Sequence, residues 1–339
     1  MRTINTEVTM YVVTIDTGTT NTRICIWKND AVLAKSSRPI GVRNTAITGN
    51  THTLISAIKE AIEEALEQAK ISSDEQITYL ASGMITSNLG LHEISHLVAP
   101  VGLNEISERI SSKIIPEISS QPIWFIPGVK NNADLVTSDN YEAMDMMRGE
   151  ETEAIGVLDS NQLQGPALIA LPGSHSKFVK IDQFNRIEGC ITTIAGELLD
   201  IITKNTILAN SLHDQFANEI DKEALLLGAK NNLQVGLARS CFSIRVLDMF
   251  GDLTINQKAN ILLGSILQED LQAIKNSKAL NLTKQTKIVI CGKSILRDGL
   301  AELIKHDPYF IGEVITIDST QTPLSLHGAL AIAKHKNII

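Results

Sequence analysis

Ile15-Asp16-Thr17-Gly18-Thr19-Thr20-Asn21-Thr22-Arg23 and Leu171-Pro172-Gly173-Ser174-His175-Ser176-Lys177 decide how this chain is read. Around the first, Tyr11 to Asp16 is an apolar strand ending on a carboxylate, and Gly18 to Asn21 make a turn. Arg23 to Trp27 returns as a second strand and Ala31 to Ser36 as a third, a β-meander. Around the second, Ala167 to Leu171 is a strand and Pro172 to Ser176 a turn. Phe178 to Ile181 and Arg186 to Ile191 then return. Glycine and hydroxyl residues in a tight turn expose N–H and O–H donors that cradle phosphate without a basic patch. One such turn is a common hairpin. Two, at equivalent places in two similar halves, mark an internal duplication with paired phosphate turns.

Working outward, Leu54, Ile58, Ile62, Ala65 and Ala69 recur at helical spacing after the first meander. Ile77 to Ala81 reads as a buried strand, Gly83 to Gly90 as a loop, and Ile123 to Ile126 as a strand stopped by Pro127-Gly128. The expected order is three strands, helix, strand, helix, strand, which implies a mixed sheet with helices on its faces. In the second half a long helical stretch is expected from about Asp221 to Lys275. Strands follow at Lys287 to Cys291 and Val314 to Ile317, then a small-residue helix from Leu324 to Lys334. The segment of roughly 142–158 is expected to be a helix crossing between the halves. Met1 to Thr9 is a polar lead-in.

The chain has 339 residues, of which 43% are hydrophobic and 20% charged, enough apolar content for two packed domains. Aromatics are 4%, too few for a base-stacking surface, and the net charge of −8 gives no footprint for nucleic acid or an anionic membrane. No apolar run approaches the ~18–20 residues of a membrane span. Cys25, Cys190, Cys241 and Cys291 are scattered without a C-x-x-C pair, which argues against zinc or a disulfide framework and for a reducing cytosol.

Two more motifs carry chemistry. Val289-Ile290-Cys291-Gly292-Lys293-Ser294 runs from strand through glycine into a helix, where an adenosine or phosphate can sit; an ordinary βα turn has the same pattern. Met147-Arg148-Gly149-Glu150-Glu151-Thr152 brings two carboxylates and an arginine to a helix start, suited to general-base work and to gripping an acidic substrate. The helix dipole alone also favours acids there. Asp16 suits Mg²⁺, held directly or through its waters, and Lys177 suits a phosphate. His175 fits either a turn or a functional role.

Together these motifs resemble the actin-like ATPase, sugar-kinase and hexokinase superfamily, and more narrowly the 2-dehydro-3-deoxygalactonokinase family. The narrower resemblance also rests on Ser-Gly-Met-Ile-Thr-Ser-Asn-Leu-Gly at 82–90, Trp-Phe-Ile-Pro-Gly at 124–128 and Ala-Gly-Glu-Leu at 195–198. It implies an α/β fold of two duplicated ribonuclease-H-like domains, mixed sheets flanked by helices, with the active-site cleft between them. The implied division is 10–148 and 149–322, with the crossing helix at about 149–158 and a C-terminal helix, 323–339, returning towards the first domain.

The implied activity is ATP-dependent phosphorylation of the terminal 6-hydroxyl of 2-dehydro-3-deoxy-galactonate, with Mg²⁺. Gly18, Thr19 and Thr20 would hold phosphates from one side and Gly173, Ser174, His175 and Lys177 from the other. Gly292 and Ser294 would lie by the adenosine. Glu150 is the expected base, Glu151 the runner-up. Arg148 would meet the sugar acid's carboxylate or the γ-phosphate, and Asn21, Arg23, Ser87 and Asn88 would line the substrate side. The expected partner is a small sugar acid, not nucleic acid or a membrane, with homo-oligomer formation open. Rival readings are a superfamily kinase for another acceptor, or a nucleotide-binding ATPase without transferase activity.

Overall fold

The chain begins with β1 (Tyr11–Thr17), β2 (Thr22–Lys28) and β3 (Ala31–Arg38), an antiparallel meander with Asp16 opposite Arg23 and Thr17 opposite Thr22. The computed structural model describes residues 11–29, 31–72, 75–132, 135–319 and 323–339. The lead-in Met1 to Thr9 and the domain boundary expected at 322 lie outside them. Helices α1 (Val42–Thr48) and α2 (His52–Ala69) follow, then β4 (Ile77–Gly83) parallel to β1. Next come β5 (Leu97–Val98), α3 (Leu103–Arg109), β6 (Ser111–Ile115) and β7 (Ser119–Phe125). The large sheet runs β3-β2-β1-β4-β7-β6. Helix α2 turns Leu54, Ile58, Ile62 and Ala65 onto it, packing against Val13, Ile15, Ile24 and Phe125. Two short strands, β8 (Val129–Lys130) and β9 (Met146–Met147), join β5 in a second, three-stranded sheet, after which α4 (Glu150–Ser160) begins.

The second half repeats the plan with β10 (Ala167–Leu171), β11 (Ser176–Ile181) and β12 (Ile187–Thr193). Helices α5 (Ala195–Asn205), α6 (Ala209–Leu212), α7 (Lys222–Val235), α8 (Leu237–Phe250) and α9 (Ile255–Asn276) follow. The chain then forms β13 (Lys287–Gly292), α10 (Ser294–His306), β14 (Val314–Asp318) and α11 (Leu324–His335). This sheet runs β12-β11-β10-β13-β14, with β13 parallel to β10 and β14 parallel to β13. Leu168, Phe178, Leu263, Ile266, Leu300 and Ile304 share its core. Each half therefore has an antiparallel meander extended by two parallel strands, the expected ribonuclease-H-like plan. The first adds β6 as an antiparallel edge.

Three expectations change. The stretch from Asp221 to Lys275 is three helices, interrupted at Gly236 (φ +79) and at Gly251–Thr254, where the Thr254 hydroxyl caps α9. The segment 142–158 is helical only from Glu150, because Gly149 (φ +112) cannot continue a helix backwards and Met146–Met147 pair in a sheet. The boundary at 148/149 also moves. The first unit holds the chain to Lys130, Met146–Leu163 and the C-terminal stretch with α11; the second holds Asn131–Asp145 and 164–321.

Packing explains that division. Helix α4 lies on α11 through Gly156 and Gly328, and a Cβ on Gly328 would fall 1.8 Å from the Thr152 carbonyl oxygen. Asn131 and Asp145 instead join β12. The Asn131 amide nitrogen donates to the Cys190 carbonyl at 2.8 Å, and its oxygen accepts the Cys190 N–H at 2.8 Å.

Candidate active site

In the first unit three backbone segments meet at the carboxyl ends of β1 and β4. Gly83 (φ +88) passes so close to β1 that a Cβ there would lie 2.5 Å from the Thr17 carbonyl oxygen. A Cβ on Gly149 would in turn lie 3.4 Å from the Gly83 Cα. This brings the first turn of α4 beside the Asp16–Arg23 turn. Glycine at 83 and 149 supplies both the positive φ and the close approach.

The turn itself is closed by the Gly18 N–H donating to the Asn21 carbonyl at 2.8 Å. Gly41, at the start of α1, presses against it; a Cβ there would lie 2.4 Å from the Gly18 oxygen. The Val42 and Arg43 N–H groups donate to the Gly18 and Thr19 carbonyls at 3.2 and 2.9 Å, and Thr19, Thr20 and Asn21 remain exposed. Asp16 pairs with Arg23 at 3.3 Å. Burial raises the Asp16 carboxyl's pKa, and the Arg23 guanidinium opposes that rise.

Glu150 and Glu151 have different surroundings. The Glu150 carboxylate is half-buried and accepts the Arg148 backbone N–H at 3.0 Å. Glu151 is wholly buried, with both oxygens on the Gly149 N–H at 3.0 and 2.9 Å and one also accepting from the Thr152 hydroxyl. Burial and the adjacent Glu150 charge push the Glu151 carboxyl up to about 8. Glu153, absent from the sequence-based set, lies three residues after Glu150 on the same helix face. Burial, then the nearby Asp16 and Glu150, push it up to about 8 as well. That spacing was its only sequence signal.

Arg148 and Ser87 depart from the substrate contacts expected of them. The Arg148 guanidinium donates to the Thr86 carbonyl at 2.6 Å, the Thr86 hydroxyl at 2.8 Å and the Ile94 carbonyl at 2.9 Å, so these donors serve the protein's own loop. The Ser87 hydroxyl is buried and donates to the Met84 carbonyl at 2.7 Å, closing a turn of that loop. Asn88, next to it, is exposed.

The second unit builds its turn in the same way. Gly196, at the start of α5, presses on the Pro172–His175 turn; a Cβ there would lie 2.1 Å from the Gly173 oxygen. The Glu197 N–H donates to the Ser174 carbonyl at 2.9 Å, and the Glu197 carboxylate lies 3.0 Å from His175 Nε2. The Ala-Gly-Glu-Leu motif is thus the buttress of this turn, and His175 is a surface residue paired to it.

Lys177 differs from expectation: it is 3% exposed and bonds to the Thr192 hydroxyl, with Asp145 at 3.5 Å. Asp145, which also accepts from Thr192 at 3.0 Å, had no motif to announce it. Gly292 (φ +139) ends β13 beside the turn, 3.6 Å from the Pro172 oxygen if given a Cβ, and Arg297 braces its carbonyl at 3.4 Å. Ser294 is exposed at the first position of α10.

Among the described residues no group of three or more His, Cys, Asp or Glu side chains is arranged to hold a metal, and no helix is long and apolar enough to cross a membrane. A single carboxylate, Asp16, still fits Mg²⁺, which commonly takes one or two protein carboxylates and completes its shell with water and phosphate oxygens.

Residues 16–308 match the family model described as 2-keto-3-deoxy-galactonokinase. A protein of Rhizobium meliloti (strain 1021) named a probable 2-dehydro-3-deoxygalactonokinase is 30% identical over 203 residues. The match covers 60% of this chain and 59% of that relative's length. The 2-dehydro-3-deoxygalactonokinase of Escherichia coli (strain K12) is 25% identical, over 78% of this chain and 80% of its own. A crystal structure of a candidate 2-dehydro-3-deoxygalactonokinase from Sinorhizobium meliloti superposes with a TM-score of 0.69. It is 24% identical, and the superposition covers 96% of this chain and 98% of that one, a likeness of fold. With the family model spanning both repeated halves, the chain belongs to the 2-keto-3-deoxy-galactonokinase family of sugar-acid kinases.

Proposed function

We propose that the protein transfers the γ-phosphoryl group of ATP to the terminal 6-hydroxyl of 2-dehydro-3-deoxy-D-galactonate, giving the 6-phosphate and ADP in galactonate breakdown. The observation that carries this reading is the first turn of α4. There Glu150 is anchored by the Arg148 N–H, while Glu151 is closed on Gly149. Glu150 is the base and takes the hydroxyl proton. The acceptor oxygen then attacks the γ-phosphorus, the bond from phosphorus to the bridging oxygen breaks, and its electron pair leaves with ADP. Glu151 instead holds the start of the helix.

Backbone N–H groups and hydroxyls of Gly18, Thr19 and Thr20 hold phosphate oxygens, as do those of Gly173 and Ser174, with Gly292 and Ser294 at the adenosine end. Lys177 contributes its charge from within the Asp145–Thr192 pair. Asp16 would hold Mg²⁺, which when bound would supply positive charge to the phosphates. Asn21, Arg23 and Asn88 serve the sugar acid. Four free cysteines suit a reducing cytosol.

The test is ADP release with ATP, Mg²⁺ and a panel of acceptors: the galacto acid, its gluco epimer, glucose, an amino sugar and pantothenate. Release with the galacto acid alone is the expected result. Release with another acceptor discards the substrate, and release without acceptor favours an ATPase. Glu150→Gln is expected to lose about 10²–10⁴ in turnover with ATP affinity kept. Wild-type turnover in that variant removes Glu150 as the base. Asp16→Asn is expected to weaken Mg²⁺-dependent activity.

A further inference from the structure

The motif at 124–128 has no part in the chemistry above, and its last residue leads to a different feature. Leu97 of β5 pairs with Val129 of β8, which pairs with Met147 of β9. The residues flanking that register, His96, Gly128 and Arg148, therefore stand side by side at one end of the small sheet. A Cβ on Gly128 would lie 2.4 Å from the Met147 oxygen, 2.8 Å from Arg148 Cγ and 2.9 Å from His96 Cδ2. Glycine is what admits both side chains.

Arg148 then reaches across the loop that follows β4. Its donors meet the Thr86 carbonyl and hydroxyl, the Ile94 carbonyl and, at 3.4 Å, His96 Nδ1. A guanidinium only donates, so His96 Nδ1 accepts and the ring proton sits on Nε2. That Nε2 is buried with no hydrogen-bond partner among the described residues. The ring is kept there although the N–H gains nothing, which marks the Nδ1 contact as the one the site requires. The loop is also tied at the Gly83 carbonyl, which accepts the Thr86 hydroxyl at 3.0 Å, and at Thr86, whose carbonyl accepts the Ile94 N–H at 3.0 Å. The backbone N–H of Arg148 meanwhile holds Glu150. One residue thus grips the loop with its side chain and the proposed base with its main chain.

We propose that Arg148, with His96 as its acceptor, is a positioning residue that sets the loop from Met84 to Ile94, and so Asn88, against Glu150, and does not itself bind the sugar acid. This rests on the reading of the first unit as the acceptor side. A planar fork suits the task, since it spans two carbonyls that an ammonium cannot reach together.

The experiment is hydrogen exchange of the intact protein, with acceptor kinetics, for Arg148→Ala, Arg148→Lys, His96→Phe and His96→Gln. Amides of 84–94 are expected to exchange at least tenfold faster in both Arg148 variants, with β1 and β2 unchanged. The acceptor kcat/KM is expected to fall about 100-fold in both, lysine rescuing nothing. His96→Phe should lose less, and His96→Gln should recover most of that loss. Unchanged loop exchange, with a raised acceptor KM that lysine restores, overturns the proposal in favour of direct carboxylate pairing. Should the Arg148 variants not fold, the His96 pair carries the same comparison. If the wild type ignores the sugar acid, the kinase reading fails while the exchange result still decides the clamp.

Discussion

Neighbouring carboxylates on one helix turn behave differently because their oxygens meet different partners. Glu151 is closed on its own helix start and buried, and its carboxyl is pushed up to about 8. A folded-state pKa above the unfolded value gives stability that is full below about 4.5 and lost as pH rises through about 8. Glu153 acts with the same sign. The melting temperature is therefore expected to fall as pH rises from 5 to 9. Glu151→Gln, whose amide oxygen can still accept from Gly149, should show a shallower decline and exceed the wild type at the alkaline end. Thermal melts across that range check it, and an unaltered slope would remove Glu151 as a cause. His96 works oppositely: burial, then Arg148 and Lys130, push it down to about 4, so its contribution is lost on acidification between about 6.5 and 4.

The element that carries Glu150 is placed by glycines. Helix α4 approaches α11 until backbone touches backbone at Gly156 and Gly328, with no room for a methyl group. Gly328→Ala must push the helices apart, at a cost of about 1–3 kcal/mol. It should also lower turnover, because α4 moves with its first turn. Gly299→Ala is the control. Its Cβ would meet the side-chain ends of Leu267, Leu263 and Ile220 at 3.2, 3.3 and 3.6 Å, and it gains about 1 kcal/mol of helix propensity. Urea midpoints and ADP release on the two variants make the comparison. Equal effects would refute the account of the α4–α11 contact.

At the scale of the molecule, among the described residues, one core cluster lies against each large sheet, and the two clusters have no residue in common. Separate cores predict more than one calorimetric transition. Gly264, on α9, faces α7 so closely that a Cβ would lie 1.9 Å from the Leu225 oxygen. Gly264→Ala is expected to lower the transition of the second unit by several degrees and leave the other in place. A single transition shifting as a whole would contradict this.

Local periodicity and turn chemistry made most of the architecture legible. Both meanders, the parallel strands that extend them, the phosphate-type turns and the acidic helix start are short-range patterns, and each can be read within a dozen residues. Gly149 and Gly292 take a positive φ, which few other residues accept, whereas Gly18 and Gly173 mark their turns by motif alone. Pairing across long separations was not legible. Arg148 meets Thr86, and Lys177 meets Asp145, only because parallel strands and a small sheet bring distant segments together. The domain division followed the same rule: Asn131 binds the Cys190 backbone, and α4 packs on α11, contacts that no spacing in the sequence encodes. The sequence by itself determined which chemistry was available. The tertiary structure decided which oxygen or nitrogen was already spent, because hydrogen bonds and burial depend on neighbours in space rather than along the chain.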